Sequence, residues 1–301
     1  MITPLMIEQH FHGCFGIDFN KADAEDILYL SKEIVKYGVG GIFPTIVTDS
    51  VENTRKAIAN IKRAASVQTS DMAKILGIHL EGIFINKEKK GIHNPEHILP
   101  LTPDNYKLIE DDFIKIITLA PELDEGLMNY LMDKNVKIQA GHCVGGELNG
   151  CDGVTHTYNA MSGVSHRGTS TALSALTDDN LYTEIIADGL HVSDAALKLL
   201  FKVKPAEKVI LVSDCLPCTK SAIKEFIFAD EKIFFDGNMA SSAGGTLAGS
   251  TCLLSDIIKR LHNIGMFNPQ FINNPYVYHN LDPWGHIDWA EDFNILNIEI
   301  K

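Results

Sequence analysis

The stretch Ile75-Leu76-Gly77-Ile78-His79-Leu80-Glu81-Gly82 decides the fold, because a short apolar run ends there in a carboxylate. An unpaired buried carboxylate is energetically costly, so Glu81 at the end of a buried strand needs a partner. A salt bridge is the simple explanation, whereas a metal ion offsets the cost better and Glu81 could bridge two ions. The run therefore predicts a buried strand that ends in a paired acid or a metal ligand.

The same pattern recurs on both sides of this stretch. Five further apolar, strand-like runs end in a histidine or a carboxylate, at residues 9–13, 141–143, 155–157, 187–191 and 213–214. Ionisable groups at the ends of successive strands indicate one site at the C-terminal mouth of an α/β barrel. Such a site is typical of metal-assisted hydrolysis.

Apolar, β-rich runs alternate with helical patterns, which is typical of parallel βαβ units. The pattern predicts eight strands, at about 4–9, 39–47, 74–81, 114–120, 136–142, 153–158, 182–188 and 208–214. Helices are predicted at about 21–36, 51–66, 123–134, 193–201 and 251–262. Eight strands with intervening helices predict an α/β fold, a (β/α)8 TIM-like barrel rather than an open sheet.

The composition changes near Gly265, where Asn268-Pro269 and Asn274-Pro275 punctuate a polar stretch. Residues 292–300 then alternate partly like a half-buried strand. We expect a metal-dependent hydrolase barrel over residues 1–265 and a short strand-bearing C-terminal appendage over residues 266–301.

The net charge of −13 and the pI near 5.3 disfavour nucleic acid as a partner. An anionic substrate must therefore meet local positive charge. No apolar run approaches the roughly 18 residues of a membrane span, and the N-terminus lacks a signal-peptide pattern. We predict a cytoplasmic protein without a membrane partner.

The six cysteines do not resemble a disulfide scaffold in a chain of 301 residues. Cys215-Leu216-Pro217-Cys218 is a pair of reduced thiols, a redox pair or half of a zinc site, and its second pair is absent. Cys14, Cys143 and Cys215 follow candidate site residues closely, where oxidation could reach them.

His10 and His12 are two residues apart, so on a strand both side chains face one way and can hold one ion. Two polar strand positions are the simple alternative, although Gly13 permits close approach to a ligand. His142 and His156 end predicted strands, and neutral imidazole suits zinc, iron or similar divalent metals. Either histidine alone would more often be a buried core residue, but their joint placement favours metal ligation.

Asp214 follows the apolar run Val209-Ile210-Leu211-Val212. In a metal site such a carboxylate can bind the ion or accept a proton from water that the ion acidifies. The alternative is that Asp214 caps the N-terminus of a helix.

Several longer motifs resemble the N-acetylglucosamine-6-phosphate deacetylases of the amidohydrolase superfamily. They run in order from about residue 9 to 262 and include HLEG at 79–82, KKGIH at 89–93, TLAPE at 118–122, THTYNAM at 155–161, HR at 166–167, IADGLH at 186–191 and GTLAGS at 245–250. The THxxNAM, ADGxH and TLAGS elements together are specific to that family.

The resemblance implies a role for each matching position. Glu81, His142 and His156 match metal ligands, and members with the HxH pattern of His10 and His12 can hold a second divalent ion. Asp214 matches the catalytic acid/base, and His93 resembles the histidine that polarises the acetyl carbonyl. Positions that match substrate contacts are Asn159, Ala160, Arg167, His191 and the loop Leu247, Ala248 and Gly249, which closes over the sugar.

The resemblance also implies a homodimer, in which Arg167 reaches the neighbouring subunit's site. The implied reaction is hydrolysis of N-acetylglucosamine 6-phosphate to glucosamine 6-phosphate and acetate, a step of amino-sugar catabolism. N-acetylgalactosamine 6-phosphate is an alternative substrate. The same residues are also compatible with an amidohydrolase for a cyclic amide or an N-acyl amino acid, and with a non-catalytic sugar-phosphate binder.

The chain departs from the family pattern at three places. Ile83 stands where the family has proline, and Gly168-Thr169 stands where it has an acidic residue and proline. The family also surrounds its barrel with a small β-sandwich built from both termini. We expect the N-terminal sandwich strands to be missing, which would leave the C-terminal strands without their usual partners.

Overall fold

The computed structural model describes residues 1–301. Its strands are, in chain order, β1 Ile2–Pro4, β2 Met6–Phe11, β3 Gly13–Cys14, β4 Ile17–Asp18, β5 Val39–Val47, β6 Lys74–Ile75, β7 Ile78–Glu81, β8 Ile114–Leu119, β9 Lys137–Ala140, β10 Gly153–Val154, β11 Tyr182–Ile185, β12 Val209–Leu211, β13 Glu225–Phe228, β14 Glu231–Phe235, β15 Ala240–Ser242, β16 Leu247–Gly249, β17 Gly285–Trp289 and β18 Ile295–Ile300. Its helices are α1 Ala24–Val35, α2 Val51–Val67, α3 Pro103–Lys107, α4 Leu127–Met132, α5 Thr171–Thr177, α6 Asp194–Val203, α7 Leu254–Asn263 and α8 Gln270–His279.

Eight parallel strands lie side by side in the order β12-β11-β10-β9-β8-β7-β5-β2, with β6 paired to β5. The two ends of this sheet meet, because the Asp214 N–H donates to the His10 carbonyl at 2.9 Å and the His12 N–H donates to the Cys215 carbonyl at 2.9 Å. The sheet is therefore a curled, TIM-like barrel, and the predicted fold class is confirmed.

The helices pack apolar faces against this sheet. Helix α1 begins after Asp23, whose carboxylate accepts the N–H groups of the first turn. It buries Ile27, Leu30 and Ile34 at helical spacing, as the sequence predicted. None of the eight helices has both the length and the continuous apolar character that crossing a membrane requires.

Helix α8 was not predicted, because Pro275 lies inside it and proline usually ends a helix. Tertiary hydrogen bonds hold the helix in place there. The amide of buried Asn274 donates to the carbonyls of Ala206, at 2.7 Å, and Val209, at 2.5 Å, beside β12. Part of the polar stretch is therefore a helix docked on the barrel.

A four-stranded antiparallel sheet, β13 to β16, was also not predicted. It buries one apolar face, with Phe228, Ile233 and Ala240, together with Val47 and Ile92 near the barrel mouth. Its other face is largely exposed, so its short strands carry a weak pattern. This sheet forms one wall above the strand ends.

The chain termini form a three-stranded antiparallel sheet in which β17 lies between β1 and β18. The C-terminal strands have a partner within the chain, because Ile2–Pro4 pairs with β17 and the Trp289 indole donates to Thr3 Oγ1 at 2.8 Å. Buried side chains of the segment 266–301 belong to the same apolar core as the barrel. The division at residue 265 stays a prediction.

Candidate active site

The C-terminal ends of the barrel strands surround a cavity of about 330 Å³. Most of the residues that the sequence singled out meet there, and the cavity is lined by His12, Val47, Glu81, Glu88, Lys89, Gly91, Ile92, His93, His142, His156, Asn159, Ala160, His191, Asp214, Phe228, Thr246, Leu247, Ala248 and Gly249. His10 is fully buried and contacts Glu81 and Asp214 from within the barrel.

Glu81, the last residue of β7, is the centre of the arrangement. Its Oε1 lies 3.3 Å from His10 Nε2, 3.4 Å from His142 Nε2 and 3.0 Å from His156 Nε2. Its Oε2 lies 3.0 Å from His12 Nε2. One carboxylate therefore faces four imidazole nitrogens.

The histidines and acids around Glu81 form two groups. The inner group is His10, His12 and Asp214, whose Oδ1 lies 3.2 Å from His12 Nε2 and 3.5 Å from His10 Nε2. The outer group is His93, His142 and His156, in which the Nε2 atoms of His142 and His156 are 3.0 Å apart. Glu81 shares a compact cluster of potential ligand atoms with the inner group, and another with His93 and His142.

These side chains fit a divalent cation. His10 Nε2 is buried and has no hydrogen-bond partner, although it lies against Glu81 and Asp214. Glu8, Glu81, Glu184 and Asp214 are all buried here, and no lysine or arginine pairs with any of them. Buried carboxylates need compensating positive charge, and imidazole with carboxylate suits zinc, iron or similar ions.

The pKa values describe the same excess of negative charge. Burial alone would lower the pKa of His10, but the charges and hydrogen bonds of Glu81 and Glu184 hold it well above its ordinary value. Burial would likewise lower the pKa of His12, yet hydrogen bonds with Asp214 and Glu81 raise it to about 9. Without a cation the inner group therefore retains protons, which a metal ion must displace.

Several site residues have a left-handed backbone that non-glycine residues rarely adopt. They are His142 with φ 48°, His156 with φ 29°, Ala160 with φ 47°, Asp214 with φ 53° and Ile83 with φ 63°. Such strain collects at functional sites, because the surrounding structure must hold it. Here it turns side chains toward the cavity directly after short strands.

His93 is held by Thr48, whose Oγ1 lies 2.7 Å from His93 Nδ1. The Ile83 N–H donates to the same oxygen at 2.8 Å, so the hydroxyl hydrogen is free to point at Nδ1. Burial holds the pKa of His93 well below its ordinary value, so the ring is neutral. With the Thr48 hydroxyl donating to Nδ1, the ring proton lies on Nε2, as a donor. The residue that replaces the family's proline therefore supplies a hydrogen bond that proline could not make.

His191 lines the cavity and is paired with a carboxylate. Its Nδ1 lies 2.7 Å from Asp188 Oδ2. Burial alone would lower the pKa of His191, but the hydrogen bond and charge of Asp188 raise it above its usual value. Lys89, Asn159 and Ala160 also line this side of the cavity, which therefore combines positive charge with hydrogen-bonding groups.

Arg167 lies apart from the other predicted substrate contacts. It is exposed, it does not line the cavity, and its Nε donates to the neighbouring His166 at 3.1 Å. The stretch Leu247–Gly249 does line the cavity, but it is strand β16 rather than the loop that the sequence suggested.

Some local interpretations were wrong. Gly13 serves the β3–β4 hairpin rather than a ligand, since a Cβ there would lie 1.9 Å from the Ile17 carbonyl oxygen. Asp214 does not cap a helix, because helix α7 begins only at Leu254. Cys14, Cys143 and Cys215 are fully buried, which shields them from oxidants. Burial also raises the pKa of Cys218 to about 12, so its thiol is unreactive.

Sequence reasoning missed four residues around the cavity. Thr48, Lys89 and Phe228 contact site residues or line the cavity, and the Phe228 ring lies 5.0 Å from the His12 ring. Glu184 is buried against His10. A signal existed for Glu184, a carboxylate within a predicted buried strand, and for Lys89, which lies in the KKGIH motif.

Comparison with known proteins gives consistent results. The chain is 31% identical over 270 residues to N-acetylglucosamine-6-phosphate deacetylase of Bacillus subtilis (strain 168), which covers 85% of this chain and 68% of that protein. It is 29% identical over 274 residues to N-acetylgalactosamine-6-phosphate deacetylase of Escherichia coli O157:H7, over 87% of this chain and 72% of that protein. No protein-family model matches the chain.

Among solved structures, N-acetylglucosamine-6-phosphate deacetylase from Thermotoga maritima superposes with a TM-score of 0.90 at 25% identity. The superposition covers 99% of this chain and 87% of that one. Sequence relatives and structural neighbours thus agree with the motifs and with the cluster around Glu81. The chain belongs to the N-acetylglucosamine-6-phosphate deacetylase family of the metal-dependent amidohydrolases.

Proposed function

We propose that this protein hydrolyses the acetamide of N-acetylglucosamine 6-phosphate, giving glucosamine 6-phosphate and acetate. The observation that carries the proposal is Glu81, which faces His10, His12, His142 and His156 in the same cavity as Asp214 and His93. A divalent cation held by these ligands supplies Lewis acidity toward water and the acetyl carbonyl.

Asp214 is the proposed general base and acid. Burial would raise its pKa, but the hydrogen bond from His12 and the nearby positive charges hold the pKa below its usual value, so the carboxylate is ionised. It accepts a proton from the attacking water and then donates that proton to the departing amine. Without this donation the nitrogen is a poor leaving group.

His93 is the proposed donor to the acetyl oxygen. Thr48 orients its ring, so that Nε2–H points into the cavity and stabilises the negative charge that develops on that oxygen. The donor is in place before the reaction, so little reorganisation is needed.

The 6-phosphate is proposed to lie beside His191, Lys89 and Asn159, because Lys89 supplies positive charge, Asn159 supplies hydrogen bonds and the raised pKa of His191 favours its protonated form. Arg167 is proposed to serve the cavity of a second subunit in a homodimer, since it is exposed and outside its own cavity. We also propose a cytoplasmic location, where sugar phosphates occur. Arg167→Ala should raise KM for the phosphorylated substrate more than it lowers kcat, and sedimentation velocity should give a dimer.

The deciding experiment is acetate release by metal-loaded protein from N-acetylglucosamine 6-phosphate. N-acetylgalactosamine 6-phosphate is tested beside it because a relative 29% identical acts on that epimer by name, and unphosphorylated N-acetylglucosamine is the control. Phosphate-dependent release supports the proposal and identifies the epimer. No release from a folded, metal-containing protein would favour another amide substrate or a binding role.

We further propose up to two divalent ions per chain, one near each group. Metal analysis after chelator-free purification should give up to two ions, and His10→Ala should reduce the number by one. If the wild type holds at most one ion and His10→Ala holds the same number, the proposal of a second metal position is contradicted.

A further inference from the structure

Glu184 is a buried carboxylate that the proposed reaction does not use. It lies on β11 and is 1% exposed. Its Oε1 accepts a hydrogen bond from Gln9 Nε2 at 2.6 Å. Its Oε2 lies 3.0 Å from His10 Nδ1 and accepts the His156 N–H at 3.3 Å. The carboxylate therefore contacts both the inner and the outer group from within the barrel.

The hydrogen bonds continue from Gln9 to the C-terminal helix. Gln9 Oε1 lies 3.0 Å from Nε2 of His279, the last residue of α8. The His279 ring stacks on Phe43 with the centroids 4.3 Å apart. Burial lowers the pKa of His279 to about 3, so the ring is neutral and has one N–H to donate.

The chemistry of these groups fixes the direction of every bond. An ionised carboxylate only accepts, so Gln9 must present its NH2 to Glu184 and its carbonyl oxygen to His279. The His279 proton then lies on Nε2. At the other end, Glu184 Oε2 requires the proton of His10 on Nδ1. In the neutral ring, the form that can bind a cation, Nε2 of His10 then carries the lone pair on the side of Glu81 and Asp214.

We propose that His279, Gln9 and Glu184 are positioning residues that fix the tautomer of His10 and commit its Nε2 to a divalent cation held with His12, Glu81 and Asp214. The inference rests on the two-ion site proposed above. A carboxylate that accepts the second ring N–H of a ligating histidine orients the ring and increases its basicity. Helix α8, at the far end of the sequence, is thereby part of the metal site.

The test compares Glu184→Gln and His279→Phe with a control, Gln139→Leu. Gln139 is a buried barrel glutamine like Gln9, but its side chain bonds Thr155 and Tyr278 rather than Glu184. His279→Phe removes the N–H that donates to Gln9 and keeps an aromatic ring to stack on Phe43. It therefore tests the series of hydrogen bonds from His279 to His10 without introducing a new buried amide. Zinc is titrated into chelator-stripped protein in competition with a chromophoric chelator, which resolves the dissociation constant of each ion.

We expect Glu184→Gln to raise the dissociation constant of one of the two ions by about 10- to 100-fold. His279→Phe should weaken the same ion by a smaller factor, about threefold to tenfold. The other ion in both variants, and both ions in Gln139→Leu, should bind as in the wild type. Unchanged constants for both ions in folded His279→Phe and Glu184→Gln would overturn the inference.

A second measurement separates positioning from general loosening of the structure. Nitrogen NMR of histidine-labelled, zinc-loaded protein should show His10, assigned by His10→Gln, with its proton on Nδ1. A proton on Nε2 would overturn the inference. A wild type that binds a single ion would overturn it together with the second metal position, whereas phosphate-dependent acetate release could still support the proposed reaction.

Discussion

The inner and outer groups share Glu81 and a contact with Glu184, but their other supports come from different parts of the protein. The inner group is supported by the packed barrel, through Glu184 beneath His10 and the backbone bonds that join β2 to residues 214 and 215. The outer group is supported by loops at the mouth. His142 Nδ1 lies 2.7 Å from the Lys89 carbonyl, and His93 bonds Thr48.

This difference separates rigidity from adjustability within one site. A side chain held by buried hydrogen bonds inside a closed barrel has few alternative positions. A side chain held by loops at the mouth of the barrel can follow movements of those loops. We therefore expect the inner group to set the position of the attacking water and the outer group to adapt to the acetyl group.

The largest expected effect is that of Glu81→Gln, because Glu81 serves both groups. The amide loses the negative charge, and acetate release should fall by about three orders of magnitude or more. Metal analysis should show that both ions are weakened. Glu88→Gln is the control, since Glu88 lines the cavity without contacting the histidines of either group. Loss of one ion only would show that the two groups do not share this ligand.

Asp214→Asn should act on the inner group alone. The amide cannot accept the proton of water, so kcat should fall by about 10²- to 10⁴-fold. Metal binding at the outer group should remain, because the contacts of Asp214 are with His10 and His12. Turnover within a factor of a few of the wild type would remove Asp214 from the proton-transfer role.

The sequence predicts the parts of the site that follow buried strands. His12, Glu81, His142, His156 and Asp214 stand out because a polar group at the end of an apolar run needs a partner. The eight barrel strands could be predicted because both faces of a parallel sheet are buried, so its strands are nearly continuous apolar runs.

What the sequence did not predict depends on tertiary contacts. Pro275 argues against helix α8, which hydrogen bonds from Asn274 to the barrel hold in place. The left-handed backbone at His142 has no marker such as glycine. Thr48 and His93 are 45 residues apart in sequence and meet only because the barrel brings their loops together.

Thr48→Val sharpens the comparison on the outer group. Valine keeps the shape but removes the hydroxyl that orients His93, so kcat should fall by about tenfold while metal affinity stays unchanged. Thr54→Val is the matched control, since Thr54 is also buried but its hydroxyl has no hydrogen-bond partner. An equal loss of activity in both variants would assign the effect to packing rather than to His93.

The smallest expected effect concerns the stability of the metal-free protein at different pH values, and it depends on groups in and beside the inner group. Burial raises the pKa of Glu8 from 4.5 to about 8, and that of His12 is raised from 6.5 to about 9. Across each of these windows the folded protein holds a proton that the unfolded chain has released. These two groups therefore contribute a fall in stability as the pH rises. The fall is the net result only above about pH 7, where His79, His93, His156 and His279, whose pKa values burial lowers, are neutral in both states.

Thermal unfolding of chelator-treated protein should show Tm falling by several degrees from pH 7 to pH 9. Glu8→Gln keeps an acceptor for the Ser213 N–H but cannot ionise, so its Tm should fall less than that of the wild type between pH 7 and pH 8. Above pH 8 its slope should match that of the wild type, because the contribution of His12 remains. Saturating zinc should remove the contribution of His12 to the pH dependence of Tm, since the cation replaces the proton on His12. Parallel curves of Tm against pH for the wild type and Glu8→Gln would mean that Glu8 does not hold a proton in the folded protein. That result would weaken the distinction between an inner group held by the barrel core and an outer group held by loops.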